Sequence, residues 1–343
     1  DVSSSFIAAK VVVPGRLDSH KGINVPDSSA MGRSLTEKDI ADVAFGVEHD
    51  VDFIALSFVG GSDDILLLRK IIFEAEKKAG KISVPPIRII AKIERQSALD
   101  HIDDILSVVD GIMVARGDLG VEIPAARVPV VQKDLILRAM RDGKSVIVAT
   151  QMLDSMTVSP SPTRAEVSDV ANAVIDHTDA VMLSNETATG KYPLEAVRMM
   201  ADIILETEHS PFDDYLDNAL NIFSAEDGVS HTARELAFSV KARAIIVASI
   251  SGDTGRMISR HRPSVPVYAV TNTERVAHQM MLSWGVSPLV LPSFSSVKEL
   301  LFECLLILKE RGALCVGDSV VVVSGKGSDI PGEASRVEVR VVS

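Results

Sequence analysis

The sequence predicts an α/β fold with a parallel sheet in the central part of the chain. Strand-length apolar runs alternate with segments that carry apolar residues at helical spacing. The runs are apolar on both faces, as in a parallel sheet covered by helices on each side. Several of them end in charged residues, as strands do at the carboxyl rim of a parallel barrel. The runs lie at 51–58, 87–93, 111–115, 145–149 and 180–183.

These runs leave two architectures open. Five strands do not close an eight-stranded barrel, so a barrel would lack about three βα units, whereas an open doubly wound sheet would lack none. The first helix is predicted to begin after Thr36, because Thr36-Glu37-Lys38-Asp39 resembles an N-cap with an acidic first turn. Further helical patterns occupy 62–78, 97–109, 130–141, 163–177 and 193–208.

The flanking regions differ in composition from the central one. Residues 1–34 are rich in Gly, Pro and Ser and are predicted to be the remnant of a small β domain, with one or two short strands at the apolar pieces 11–13 and 23–25. Residues 35–210 form the partial barrel or sheet. An acidic linker begins at Pro211, and 211–343 are predicted to be a smaller α/β domain with its own core. The chain opens on Asp1 in the middle of a pattern, which we interpret as a cut end.

Composition narrows the classes of partner. The formal net charge of -12 disfavours nucleic acid and anionic membranes, which would be repelled across most of the surface. No apolar run approaches the ~20 residues that span a bilayer. Cys304 and Cys315 lack the spacing of a zinc site or a disulfide scaffold and are predicted to be reduced core thiols. A cytoplasmic location is the expectation.

Charged residues at two strand ends point to a reaction centre. Ile89-Ile90-Ala91-Lys92-Ile93-Glu94 places Lys92 and Glu94 on the same face of a strand. Met113-Val114-Ala115-Arg116-Gly117-Asp118 ends the next run with a second carboxylate. Two carboxylates that lie close together repel each other unless a cation lies between them, and oxygen ligands favour a hard ion such as Mg²⁺. Lys92 would then be available for an anion, although a structural Lys92–Glu94 ion pair explains this pair alone equally well.

Other groups at the same rim could bind an anion. The Gly117-Asp118-Leu119-Gly120 turn leaves backbone N–H groups open, unless its glycines serve only to form the turn. Thr150 follows the run 145–149 with a hydroxyl that can donate to an anion or simply cap a helix. Ser57 has the same ambiguity.

These motifs resemble one family, pyruvate kinase. The resemblance extends from about Val11 to the C-terminus, in the family's order and spacing. The matching motifs are Lys92-Ile93-Glu94, the run from Met113 to Gly120, Ala149-Thr150-Gln151-Met152-Leu153, the run from Pro162 to Val170 and Met182-Leu183-Ser184. The resemblance implies an eight-stranded (β/α)8 TIM barrel whose first three units are absent from this chain. It also implies a remnant of the inserted lid domain and a C-terminal α/β domain.

The activity implied is phosphoryl transfer from phosphoenolpyruvate to ADP, which gives pyruvate and ATP in glycolysis. Lys92 would be catalytic and would stabilise the charge on the moving phosphoryl group. Glu94 and Asp118 would bind Mg²⁺ or Mn²⁺, and K⁺ is expected in the complete enzyme. The N–H groups of Gly117 and Asp118 would bind the substrate carboxylate, and Thr150 would lie near the reacting carbon.

The resemblance also implies regulation and assembly. Ser249-Ile250-Ser251-Gly252-Asp253-Thr254 resembles the family's phosphate-binding effector loop, although Asp253 adds a negative charge there. Lys326 in Gly325-Lys326-Gly327 could supply a cation. The candidate residues for a sugar-phosphate or nucleotide effector are Ser249, Ser251, Gly252, Thr254 and Lys326. A homotetramer is expected.

Two departures from the family keep alternatives open. The family's early Arg, Asn, Ser and Asp, which hold potassium and phosphate, are absent with the first three units. A partial barrel would also expose two strand edges and half of its core, so residues 1–343 alone are not expected to be a stable, fully active enzyme. Asn185 stands where the family usually has Gly, and Asn tolerates positive φ. The alternatives are a metal-dependent lyase that acts on a pyruvate enolate and an inactive metabolite-binding remnant. The C-terminal α/β domain disfavours the lyase.

Overall fold

The computed structural model describes residues 8–15, 35–81, 85–212, 224–291, 296–325 and 334–343. Residues Asp1–Gly32 form one compact unit and Arg33–Ser343 form another. In the first unit, residues 8–15 have no regular secondary structure, and Val11, Val12 and Val13 are exposed. The predicted strand at 11–13 is therefore wrong, because no described residue pairs with it or covers its valines. The strand predicted at 23–25 lies outside the described residues.

The first sheet of the second unit is parallel. Neighbouring strands pair in the order β1-β2-β3-β4-β5, and every pair is parallel. A doubly wound sheet reverses its order at a switch point, so the unbroken sequential order favours the barrel wall over that alternative. The strands are β1 (Phe53–Leu56), β2 (Arg88–Ile93), β3 (Gly111–Ala115), β4 (Ser145–Ala149) and β5 (Ala180–Met182).

Helices connect and cover these strands. Thr36 caps the first helix as predicted, since its Oγ1 accepts from the Asp39 N–H and the Asp39 carboxylate accepts from the Thr36 N–H. The single helix predicted at 97–109 is divided at His101, where ψ is 23°. The helices are α1 (Glu37–Glu48), α2 (Ser62–Ala79), α3 (Gln96–Asp100), α4 (Ile102–Val108), α5 (Arg116–Glu122), α6 (Val128–Arg141), α7 (Arg164–Ile175), α8 (Asn185–Ala188) and α9 (Pro193–Glu208).

Alternation along β2 fixes the face on which the candidate site lies. Ile89, Ala91 and Ile93 belong to the main core between the strands and the helices. Ile90 packs on the opposite face, in a smaller cluster with Met113 and Ala149. Because side chains alternate along a strand, Lys92 shares the face of Ile90. The same alternation makes the helix-facing side of the sheet apolar and leaves polar groups to the inner side of the rim.

The C-terminal part is a second sheet with its own cores. Its strand order is β10-β9-β6-β7-β8, and only the β10–β9 pair is antiparallel. One core lies on the α10 side of the sheet and another on the α13 side. The elements are α10 (Ala225–Ser239), β6 (Ala244–Ala248), α11 (Asp253–Ser259), β7 (Val267–Thr271), α12 (Glu274–Met280), β8 (Val286–Val290), α13 (Val297–Glu310), β9 (Ser319–Gly325) and β10 (Ala334–Val341).

The C-terminal part packs against the amino ends of β1–β5, opposite the rim that carries Lys92. Gln279 donates to the carbonyls of Asp52 and Pro86, and the buried Arg262 donates to the carbonyl of His177. The predicted boundary at 210/211 falls between α9 and α10.

The cysteine prediction is half right. Both cysteines are free thiols, but Cys304 is buried and Cys315 is exposed, so only Cys304 is a core thiol. Burial raises the pKa of Cys304 to about 12, which leaves that thiol protonated. Across the residues that the structure describes, every helix is too short or too polar to cross a membrane.

Candidate active site

Lys92 and Glu94 meet at the carboxyl end of β2. The Lys92 ammonium Nζ lies 2.6 Å from Glu94 Oε1 and donates to Ser57 Oγ at 3.0 Å. Ser57 follows β1, so two neighbouring strand ends fix the position of the ammonium group. Lys92 is a quarter exposed, whereas Glu94 is fully buried. The ammonium group therefore remains accessible from the rim while its partner carboxylate does not.

Glu94 is held from the side of β1 as well. The backbone N–H of Phe58 donates to Glu94 Oε2 at 2.5 Å. Oε1 has no aligned hydrogen-bond donor among the described residues, although the Lys92 ammonium lies close to it. The Lys92 ammonium compensates the charge of this buried oxygen, and the oxygen's second lone pair is free for a further cation. Glu94 therefore has the character of a metal ligand.

Asp118 supplies the second carboxylate at an adjacent strand end. Ile93 lies opposite Val114 in the β2–β3 register, so the chain beyond each strand emerges at the same edge. Asp118 lies in the first turn of α5, partly exposed, and its carboxylate makes no hydrogen bond or ion pair with any described residue. Two carboxylates without an arginine partner fit a hard divalent cation. Among the described residues there is no group of three or more His, Cys, Asp or Glu side chains placed to bind a metal.

The open turn expected at 117–120 is the first part of helix α5. Its Gly117 N–H donates to Thr150 Oγ1 at 2.8 Å, and Thr150 Oγ1 donates to the Ala149 carbonyl at 2.6 Å. Gly117 packs against Thr150, since a Cβ at Gly117 would lie 3.4 Å from Thr150 Oγ1. The structure thus brings Gly117 and Thr150 together, with the hydroxyl of Thr150 bonded to the N–H that was expected to face a ligand.

Arg116 is a functional candidate that the sequence analysis did not single out. Its guanidinium donates to Asp169 Oδ1 at 2.7 Å, to the Thr150 carbonyl at 2.8 Å and to Met152 Sδ at 2.8 Å. These bonds connect the start of α5 to α7 and to the turn after β4. An arginine directly after an apolar run was the available signal, because such a residue must find partners at the rim.

Glu186 is a second residue of this kind. It is almost fully buried, and its carboxylate accepts from the backbone N–H groups of Leu153 and Ser184 at 3.1 and 2.8 Å. It thereby connects the turns after β4 and β5. Asn185 is the first residue of α8 and does not have a positive φ, so this position does not require glycine.

The candidate effector loop lies between β6 and α11. The strand order changes direction between β6 and β9, and such switch points place loops around a crevice. Ser249 is buried, and its Oγ accepts from the Gly255 N–H at 3.1 Å, while Ser251 Oγ donates to Asp253 at 2.9 Å. Gly252 has a φ of +85°, and Thr254 is buried. Lys326 lies outside the described residues.

Fold and site together define an α/β-barrel protein that carries a lysine–carboxylate centre at its strand-end rim and a second α/β region after it. The model for the pyruvate kinase barrel domain matches residues 2–197, and the model for the pyruvate kinase alpha/beta domain matches 227–340. The chain belongs to the pyruvate kinase family.

Individual relatives agree with this assignment. The chain is 42% identical over 344 residues to a pyruvate kinase of Clostridium acetobutylicum, with 99% of this chain and 71% of that protein covered. It is 41% identical to a pyruvate kinase of Sporosarcina psychrophila, with 100% and 58% covered. For a pyruvate kinase of Clostridium perfringens the identity is 38%, with 100% and 72% covered. The chain thus spans somewhat more than half to nearly three quarters of the length of these relatives.

Proposed function

We propose that this chain carries the catalytic lysine and metal ligands of an enzyme that transfers the phosphoryl group of phosphoenolpyruvate to ADP, which yields pyruvate and ATP in glycolysis. One observation carries the proposal. Lys92 and Glu94 form a fixed pair at the rim of a parallel sheet, and the paired oxygen of the buried Glu94 accepts no other hydrogen bond from the described residues. Membership of the pyruvate kinase family supports the choice of reaction.

Lys92 acts on the moving phosphoryl group. Phosphoryl transfer passes through a loose transition state with negative charge spread over the equatorial oxygens, so catalysis depends on positioning and electrostatics. Ser57 and Glu94 hold the ammonium before substrate arrives, so little reorganisation is needed as charge develops. The partly exposed face of Lys92 is the side available to the substrate.

Glu94 and Asp118 would hold the divalent cation, Mg²⁺ or Mn²⁺. A bound divalent cation supplies positive charge to the substrate oxygens. The oxygen donor set fits such an ion. Among the described residues Asp118 has no partner, and Glu94 Oε1 has none other than the Lys92 ammonium. The complete enzyme is also proposed to use K⁺.

Gly117, Asp118 and Thr150 orient the three-carbon part of the substrate. Backbone N–H groups at the start of α5 are suited to a carboxylate, and the Gly117 N–H becomes available when the Thr150 hydroxyl rotates away from it. Thr150 then lies close to the enolate carbon and takes part in delivering the proton that completes pyruvate. This role requires the hydroxyl, so it can be tested by substitution.

Regulation and assembly form the remainder of the proposal. A sugar-phosphate or nucleotide effector would bind at the loop of Ser249, Ser251, Gly252 and Thr254, with Lys326 as a cation. The contacts of Ser249 and Ser251 described above are those of helix caps, so an effector must displace Ser251 from Asp253. A homotetramer and a cytoplasmic location are proposed from family resemblance.

The test is the substitution Lys92→Met in the complete protein. Pyruvate formation from phosphoenolpyruvate should fall by about a hundred- to a thousandfold, since one preorganised charge is lost. Lys70→Met, on the exposed face of α2, is the matched control and should leave turnover unchanged. Circular dichroism and Mn²⁺ binding should be preserved in both variants. Undiminished turnover in Lys92→Met would refute the assigned role, and pyruvate formation that does not require ADP would favour the lyase.

A further inference from the structure

A small basic cavity lies where the C-terminal part meets the amino end of β4. Its lining includes Lys144 from the barrel side and Arg256, Arg260, Arg262 and Ser283 from the C-terminal side, together with Asp179. Four cationic side chains around one cavity are unexpected in a chain with a net charge of -12. The cavity lies at the opposite end of the strands from Lys92 and is therefore separate from the candidate active site.

Three of the four cations have carboxylate partners. Arg262 lies 3.2 Å from Asp179, Arg260 lies 3.3 Å from Asp227, and Arg256 pairs with Asp253. Asp179 is further engaged by the backbone N–H groups of Trp284 and Val146, both at 2.9 Å, so its charge is well compensated.

Lys144 is the cation without a carboxylate. Its ammonium donates to the Val109 carbonyl at 2.8 Å, and no carboxylate of the described residues lies within ion-pair distance of it. Burial and, to a smaller extent, the neighbouring charge of Arg256 lower the pKa of Lys144, while the charge of Asp110 opposes this shift. The same two causes lower the pKa of Arg88 to about 10. Lys144 is therefore under the influence of the Asp110 charge but makes no direct ion pair among the described residues.

Two hydrogen-bond donors of the lining are also unused. Arg256 Nε and Ser283 Oγ are buried and have no hydrogen-bond partner among the described residues. Ser283 is only 6% exposed. Buried donors without an acceptor cost free energy, and a site that combines two such donors with an ammonium group that makes no direct ion pair is complementary to an anion.

The size of the cavity excludes larger anions. The free space at its centre is about that of one water molecule, which is too small for a tetrahedral oxyanion and admits a monatomic anion only when the lining side chains move slightly outward. We propose that the cavity binds one monatomic anion of halide size, such as chloride, with Arg256 Nε and Ser283 Oγ as hydrogen-bond donors and Lys144 as the charge partner. The bound anion joins the barrel part to the C-terminal part at their shared interface.

Bromide provides a direct probe, because it replaces chloride and scatters anomalously. Crystals of the protein soaked in sodium bromide should show an anomalous peak within about 3.5 Å of Arg256 Nε and Ser283 Oγ. The peak should disappear in Ser283→Ala combined with Lys144→Gln. Ser287→Ala, an exposed serine on β8, is the matched control and should keep the peak.

A solution measurement tests the same site without crystals. Thermal melts are compared in chloride and in gluconate, which is too large for the cavity, at equal ionic strength. At a free chloride concentration ten times the dissociation constant, linkage raises the folded-to-unfolded ratio about elevenfold. The increase should saturate and should be lost in the double variant but not in Ser287→Ala. A cavity without bromide, or a chloride effect equal in both variants, would overturn the proposal.

Discussion

The guanidinium of Arg116 donates to the backbone carbonyl of Thr150 at 2.8 Å, while it pairs with Asp169 at 2.7 Å. Thr150 has a φ of 72° and Gln151 a φ of 54°, a conformation that β-branched residues such as threonine rarely adopt. Backbone strain of this kind persists only where surrounding groups hold it in place. Arg116 is therefore a positioning residue for the Thr150 hydroxyl.

Arg116→Lys should lower turnover by about 10- to 100-fold, because a lysine cannot bind the Thr150 carbonyl and Asp169 together and the turn will shift. The effect should fall on kcat more than on the KM for ADP, which a general loss of folded protein would not produce. Arg164→Lys, an exposed arginine on α7, is the control and should match the unaltered protein. Equal kcat in the two variants would contradict the positioning role.

Thr150→Val and Thr150→Ser separate the hydroxyl of Thr150 from its shape. Valine keeps the branched shape but loses the hydroxyl, so turnover should fall by about a hundredfold, as for loss of a proton-transfer group. Serine keeps the hydroxyl and removes the branch that disfavours positive φ, so Thr150→Ser should retain most activity without loss of stability. Steady-state assays and thermal melts on both variants test this. An active valine variant would exclude proton delivery by this residue.

Much of the fold could be predicted from apolar periodicity. The strands at 111–115 and 145–149 agree with β3 and β4 to the residue, because buried parallel strands bounded by charged or polar residues give clear edges. Strand order could not be read from the runs alone, since each run is apolar on both faces in a barrel and in a doubly wound sheet. The exposed valines at 11–13 show that an apolar run is insufficient when no strand of the described residues pairs with it.

The candidate site could be predicted in part. The Lys92–Glu94 pair follows from side-chain alternation along one strand, which is a local rule. The hydrogen bond from Arg116 to the Thr150 carbonyl joins residues 34 positions apart, and the one from the Leu153 N–H to Glu186 joins residues 33 positions apart. Both depend on tertiary structure that periodicity does not encode. The bond from Gly117 to Thr150 has the same origin, and the sequence therefore predicted an open turn there.

Glu94→Gln and Asp118→Asn should weaken Mn²⁺ binding, measured by electron paramagnetic resonance, by at least about tenfold each if both carboxylates bind the cation. Each amide keeps the size of the side chain, and the glutamine can still accept from the Phe58 N–H. Asp103→Asn, on the exposed surface of α4, is the control for the loss of one negative charge. Unchanged Mn²⁺ affinity in Glu94→Gln would remove Glu94 from the proposed metal site.

His177 should make the protein less stable in weak acid. Its ring packs edge-on against Trp284, with ring centroids 5.6 Å apart, and its carbonyl accepts from Arg262 across the interface. Burial and the charge of Arg262 lower its pKa from 6.5 to about 4. Between these values the unfolded chain binds a proton that the folded chain does not, so stability falls as pH drops from about 6.5 to 4, by at most about 3 kcal/mol from this residue.

Urea unfolding midpoints at several pH values between 7.5 and 4.5 test this dependence. His177→Asn removes the titrating group and tolerates the positive φ of this position, so it should flatten the decline in stability. The slope should not vanish, because burial also lowers the pKa of His261 against the opposing effect of Asp227. His101→Asn, an exposed histidine, is the matched control and should leave the slope unchanged. If the His177→Asn and His101→Asn variants lose stability equally in acid, protonation of His177 is not the cause of the pH dependence.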